Sequence, residues 1–262
     1  MLALACATLS CDGFGDNDFK KSFEMLPRAG YRYAEFDCWH PGSLTPAKIR
    51  DLRRRCLDAG LVPAAVYSSA FGGGDSHALT KDVAHKLRMM EAARELGCRR
   101  IVATGARRGT EGGLEAVIEA LRLLAPAAEE MDVQICLENH AGSTLERAED
   151  YGRVLAAVPS PAVGACLDTG HFAAAAVDMD EFIALHGKRI NHLHIKENKG
   201  TGTARFTRFG EGDTDIARVL DQVLALGYEG FVTVELPPQE DRPTMLEDII
   251  LPRRMFAAYE RE

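Results

Sequence analysis

Four side chains of the kind that ligate hard cations recur at the ends of short apolar runs in the second half of the sequence. Val133–Leu137 runs into Glu138, Val163–Leu167 into Asp168, Asn191–Ile195 carries His194, and Phe231–Val234 runs into Glu235. Taken singly, each has a plain explanation: a loop carboxylate, a cap for the following turn, a satisfied core histidine, a partner for an arginine. Gathered in one place they mean something else. Three carboxylates in a partly dry site repel one another strongly unless a cation neutralises them. Three oxygen donors and one imidazole suit a hard or borderline octahedral ion, Mn²⁺ first, then Mg²⁺ or Co²⁺, with Zn²⁺ also open, and they exclude soft thiolate chemistry. Because side chains alternate across a strand, Cys136, Cys166, His192 and Thr233 are expected one layer below, facing the same way.

The elements that must bring these residues together are legible as a repeat. β-rich apolar runs recur about every 30 residues, each followed by a longer stretch of helical spacing. They end near Thr8, Asp37, Tyr67, Ala103, Glu138, Asp168, Ile195 and Glu235. Eight βα units in 262 residues predict an α/β fold, a (β/α)8 TIM barrel forming a single catalytic domain over residues 1–262. Active sites in such barrels sit at the carboxyl ends of the strands, where the four residues fall. Thr45 and Pro46 open one helix and Gly60 closes it, while Val83, Leu87, Met90 and Ala93 mark the next, stopped by Gly97. Leu114, Val117, Ile118, Leu121 and Leu124 form a stripe that Pro126 is expected to kink or break. An open doubly wound sheet is the competing architecture, but the Gly13-x-Gly15 turn lacks a third glycine and has acidic neighbours. Gly72, Gly73 and Gly74 lack the Lys-Ser/Thr of a phosphate-binding loop and read as a flexible loop over the barrel mouth.

Five motifs together resemble one family. Leu137-Glu138-Asn139-His140, Leu167-Asp168-Thr169-Gly170-His171, His192-Leu193-His194-Ile195-Lys196-Glu197, Gly210-Glu211-Gly212-Asp213 and the strand-terminal Glu235 look like successive motifs of the xylose isomerase-like TIM barrel superfamily. Within it they look most like the sugar isomerase and epimerase branch that includes D-tagatose 3-epimerase. The resemblance implies that Glu138, Asp168, His194 and Glu235 bind one divalent metal, that Glu138 and Glu235 also act as acid and base, and that His171 contacts substrate oxygens beside the metal. It implies an isomerase or epimerase acting on a ketose, inosose or related hydroxy-ketone. A proton leaves the carbon beside a carbonyl and returns to another face or an adjacent carbon, through an enediolate that the metal stabilises. Loss of a β-hydroxyl would make the same apparatus a dehydratase.

Supporting residues carry two readings each. Lys196 follows His194 by two and should point the same way, toward a substrate oxygen or into solvent at the rim. Arg205 and Arg208 lie in a polar loop where they greet an anionic group or stay exposed. Trp39 and Phe71 form an apolar wall for the sugar or pack in the core or a lid, and Asp213 reads as the N-cap of the next helix.

Composition excludes other classes. With 31 Lys and Arg against 39 Asp and Glu, the net charge of −8 disfavours nucleic acid as a partner. An endonuclease IV-like nuclease needs further histidines, whereas Asp213-Thr214-Asp215, Tyr67-Ser68-Ser69 and Ala103-Thr104-Gly105 supply none. A non-catalytic binding barrel is disfavoured because all four ligand types are present. Seven scattered cysteines without a CxxC pair read as reduced thiols of a cytoplasmic protein, and no apolar run is long enough to engage a membrane. The expected partner is a small sugar or polyol, and the expected assembly a homodimer or homotetramer.

Overall fold

The computed structural model describes residues 2–14, 17–72, 75–237 and 242–260; Gly15, Gly73 and Gly74 of the glycine-rich turns lie outside the described residues. Its strands in chain order are β1 (Ala3–Ala7), β2 (Tyr33–Asp37), β3 (Val62–Tyr67), β4 (Arg100–Thr104), β5 (Gln134–Glu138), β6 (Val163–Asp168), β7 (Ile190–Ile195), β8 (Glu197–Asn198), β9 (Phe206–Thr207) and β10 (Phe231–Val234). β1 to β7 pair in parallel and in sequence, and β10 joins β7 to β1 to close an eight-stranded barrel. Helices follow the strands and cover the outside, which is why both faces of nearly every strand are buried. β8 and β9 form a short antiparallel ribbon. The doubly wound alternative is thereby set aside. No helix among the described residues is long and apolar enough to cross a membrane.

Helix punctuation follows the sequence at Thr45, whose hydroxyl accepts the Lys48 N–H, and at Gly60 and Gly97, both in the left-handed conformation that glycine tolerates. Two expectations fail. The helix Gly113–Met131 is not broken at Pro126. Pro126 lies on the exposed side, and so does Arg122, whose carbonyl loses its donor on the side of the helix that faces solvent. The N-cap of helix Ile216–Ala225 is Asp215, which accepts the Arg218 N–H at 3.1 Å; Asp213 instead accepts from the Gly200 N–H at 2.8 Å.

The barrel interior is layered. At its amino-terminal end Tyr33 meets the Phe231 ring at 5.1 Å, Arg100 lies over Phe231 at 5.2 Å, and Asn191 donates to Gln134 at 2.8 Å. In the middle, Ala65, Val102, Cys136 and Cys166 form a small apolar cluster apart from the main core, alongside Glu35, His192 and Thr233. Two register shifts tune this layer. Ala34 pairs with Pro63 but Glu35 with Ala65, and Ala165 pairs with Ile190 but Cys166 with His192. The second leaves Asn191 as an extra residue, so Asn191 and His192 both reach inward, and the bulge restores the alternation that points His194 at the mouth.

A buried lysine lies outside the barrel. Lys86 is fully buried, with its ammonium 3.4 Å from Ser69 Oγ and the Ala70 carbonyl and 4.8 Å from the Phe71 ring centre. Burial lowers its pKa from 10.5 to about 8. The folded protein therefore releases this proton at lower pH than the unfolded chain does, and the cost of holding it shrinks as pH rises. Lys86→Met is expected to be more stable than wild type at about pH 7, by about 3 kcal/mol at most, with the gap closing toward about pH 10. Urea midpoints at the two pH values check this, and a constant gap would refute it.

Candidate metal centre

Register delivers the four strand-end residues to one place. Asp168 on β6 is opposite His194 on β7, which is opposite Thr233 on β10, and Glu235 follows two residues later with its N–H bonded to the Ile195 carbonyl at 3.0 Å. Glu138 ends β5 beside β6. One ligand atom from each of Glu138, Asp168, His194 and Glu235 lies within 4.8 Å of all the others, and all four residues are buried.

His194 is the hub. Its Nδ1 is 2.6 Å from Glu138 Oε1, 3.2 Å from Glu235 Oε2 and 4.0 Å from Asp168 Oδ2. Each carboxylate has a second holder. Tyr67 donates its hydroxyl to Glu138 Oε2 at 2.6 Å, the Lys196 ammonium donates to Glu235 Oε1, and Asp168 Oδ1 accepts the His171 N–H at 2.7 Å, so Asp168 does cap the turn after β6. Asn139 clamps the Asp168 backbone through two hydrogen bonds of 2.7 and 2.9 Å.

The charges are unevenly settled. Burial raises the Asp168 carboxyl to about 6 although Lys196 stands 3.5 Å away. Burial works against Glu235 too, yet Lys196 and His194 hold it well below the ordinary range. Burial works to discharge His194, but Cys166, Glu35 and Glu138 keep its pKa well above the usual value. Asp168 Oδ2 is buried and accepts no hydrogen bond. Three carboxylates, one imidazole and a buried carboxylate oxygen that accepts no hydrogen bond form a donor set that fits one divalent cation, which would displace the His194 proton on binding.

The remaining candidates divide. His171 is buried, its Nε2 3.4 Å from Lys196 Nζ, and burial together with Lys196 keeps it neutral. Both residues line a cavity of about 360 Å³ with Glu138 and Glu235. Trp39 lines a second cavity of about 530 Å³ over the barrel mouth and packs on Phe14 at 5.0 Å. Phe71 packs in the core under Lys86 and lines neither cavity, and its N–H is bonded to the Thr104 carbonyl. Arg205 is exposed in the loop before β9, and Arg208 pairs with Asp248. Sequence reasoning missed Tyr67 as a partner of Glu138, His140, whose ring stacks on His171 at 3.7 Å, and Glu35.

Known proteins resemble this chain in sequence or in fold. An inosose dehydratase of Lactiplantibacillus plantarum is 25% identical over 154 residues, 53% of this chain and 51% of that enzyme, so the chain matches about half of its length. The solved structure of IolI protein with a binding zinc atom superposes with a TM-score of 0.78 at 21% identity, covering 98% of this chain and 97% of that one. D-psicose 3-epimerase with D-tagatose, from Clostridium cellulolyticum H10, gives 0.79 at 18% identity over 98% and 99%. Identities this low carry the fold alone. The family model described as xylose isomerase-like TIM barrel matches residues 23–250, and with the closed barrel this establishes that the chain belongs to the xylose isomerase-like TIM barrel family.

Proposed function

We propose that this chain is a divalent-metal-dependent isomerase or epimerase of a ketose, inosose or related hydroxy-ketone, the described barrel serving as one catalytic unit. The observation that carries the reading is the convergence of Glu138, Asp168, His194 and Glu235, with Asp168 Oδ2 buried and accepting no hydrogen bond. These four would hold the cation. A bound Mn²⁺, Zn²⁺ or similar ion supplies Lewis-acid withdrawal of electron density from a carbonyl.

The chain's own groups do the rest. Glu138 and Glu235 reach the cavity from strands on either side of His194, and each has one oxygen turned to that ring and one held elsewhere. Such a pair removes a proton from the carbon beside the carbonyl and returns one to the opposite face or to the neighbouring carbon. His171 and Lys196 meet the substrate's hydroxyl oxygens, and the Trp39 ring screens the mouth from water. The cavity of about 360 Å³ over the carboxylates accommodates a monosaccharide-sized polyol.

A second reading has its own support. The Lys196 ammonium, buried between Asp168 and Glu235, stands where a departing β-hydroxyl needs a proton, and a relative carries the name inosose dehydratase. One experiment separates the two. The metal-loaded protein is incubated in deuterated water with ketoses, inososes and hydroxy-keto acids, and the products are read by NMR. Deuterium at an inverted or shifted carbon supports the isomerase, loss of water supports the dehydratase, and neither with any substrate overturns both.

A further inference from the structure

The floor of the site holds a carboxylate that the proposed proton transfers leave idle. Glu35, in β2, is fully buried in the middle layer of the barrel, where an ionised carboxyl is unfavourable unless it is held. His192 Nε2 donates to Glu35 Oε2 at 2.7 Å, Thr233 Oγ1 donates to the same oxygen at 3.2 Å, and His194 Nε2 bonds to it at 3.2 Å, while Glu35 Oε1 lies 3.0 Å from His194 Nε2 without a hydrogen bond. The other nitrogen of His194, Nδ1, faces Glu138, Glu235 and Asp168. The His194 ring is thus suspended between one carboxylate below and three above.

We infer that Glu35 is a positioning residue: by accepting the Nε2 proton of His194 it fixes the tautomer whose Nδ1 lone pair faces the carboxylate cluster. A histidine that ligates a cation through one nitrogen needs its other N–H anchored, both to orient the ring and to strengthen the donor. His192 and Thr233 steady the anchor itself, and the bulge at Asn191 brings His192 to it. Sequence position hides this arrangement, since Glu35 and His194 are 159 residues apart. The inference rests on reading the cluster above as a metal centre.

Zinc affinity measured by competition with a chromophoric chelator, on wild type, Glu35→Gln and Glu35→Ala, tests it. Long-range ¹H–¹⁵N NMR of the zinc-loaded proteins reports in parallel which nitrogen of His194 carries the proton. Wild type is expected to bind one zinc per chain with His194 protonated at Nε2. Glu35→Gln, which keeps an acceptor but loses the charge, is expected to bind about 10-fold more weakly, and Glu35→Ala about 100-fold more weakly with mixed tautomers. Unchanged affinity and tautomer in the variants, with only the melting temperature lowered, would overturn the inference and leave the metal centre standing. Two zincs in wild type, one of them lost in Glu35→Gln, would overturn it as well by making Glu35 a ligand. Absence of zinc binding in wild type would remove the metal centre and this inference together. If Glu35→Ala does not fold, Glu35→Gln decides.

Discussion

Glu235→Gln is expected to keep the barrel intact and to slow deuterium exchange into the substrate by about 10²- to 10⁴-fold, the usual contribution of a positioned acid or base. The amide is nearly isosteric and still offers an oxygen to Lys196, and the backbone bond from residue 235 to Ile195 is untouched, so closure of β10 against β7 survives. What the amide cannot do is accept and return a proton. The expected signature is a native circular dichroism spectrum with exchange nearly abolished. Exchange at the wild-type rate would remove Glu235 from the acid–base role and leave Glu138 to act alone.

Asp168→Asn separates the ligand from the cap. Oδ1 of Asp168 accepts the His171 N–H, and an asparagine oxygen does the same, so the turn after β6 persists. Oδ2, which accepts no hydrogen bond, becomes an amide nitrogen with no lone pair for a cation. Divalent affinity is expected to fall by at least about 100-fold, more than loss of a residue that only supports a ligand. In the metal-free state the same change removes one of three crowded carboxylates, so that state should be no less stable than wild type. Wild type should gain melting temperature when metal is added and the variant should gain little, since ligand binding stabilises in proportion to ln(1 + [L]/Kd). Equal gains in a calorimetric scan would show that Asp168 is not a ligand.

How far the sequence alone reached is best judged residue by residue. Asp37, Tyr67, Glu138, Asp168 and Ile195 end their strands where the apolar runs end, because a parallel strand buried on both faces writes its length directly into the chain. Glu138, Asp168 and Glu235 stood out because a carboxylate terminating such a run has no solvent-facing side to occupy. Glu35 carried the same signal, set between buried Ala34 and Phe36, but Asp37 two residues later drew attention as the strand end. Tyr67 was hidden for a different reason: its role is a hydrogen bond to Glu138, 71 residues distant, and no local pattern encodes that. Pro126 misled because the rule for proline concerns an unsatisfied carbonyl, and whether water reaches that carbonyl depends on which side of the helix packs. The extra residue at Asn191 was likewise invisible, since period-2 alternation assumes an unbroken ladder.

The four clustered residues come from β5, β6, β7 and β10, which are consecutive around the barrel, whereas the loops after β1, β2 and β4 bring Phe14, Trp39 and Arg107 to the mouth. The clustered side chains and most of the rim above them therefore come from different strands, with the segment after β5, His140 to Ser143, adding to the rim as well. Under the proposed function, a mutational library confined to those three loops reshapes the rim and leaves Glu138, Asp168, His194 and Glu235 in place.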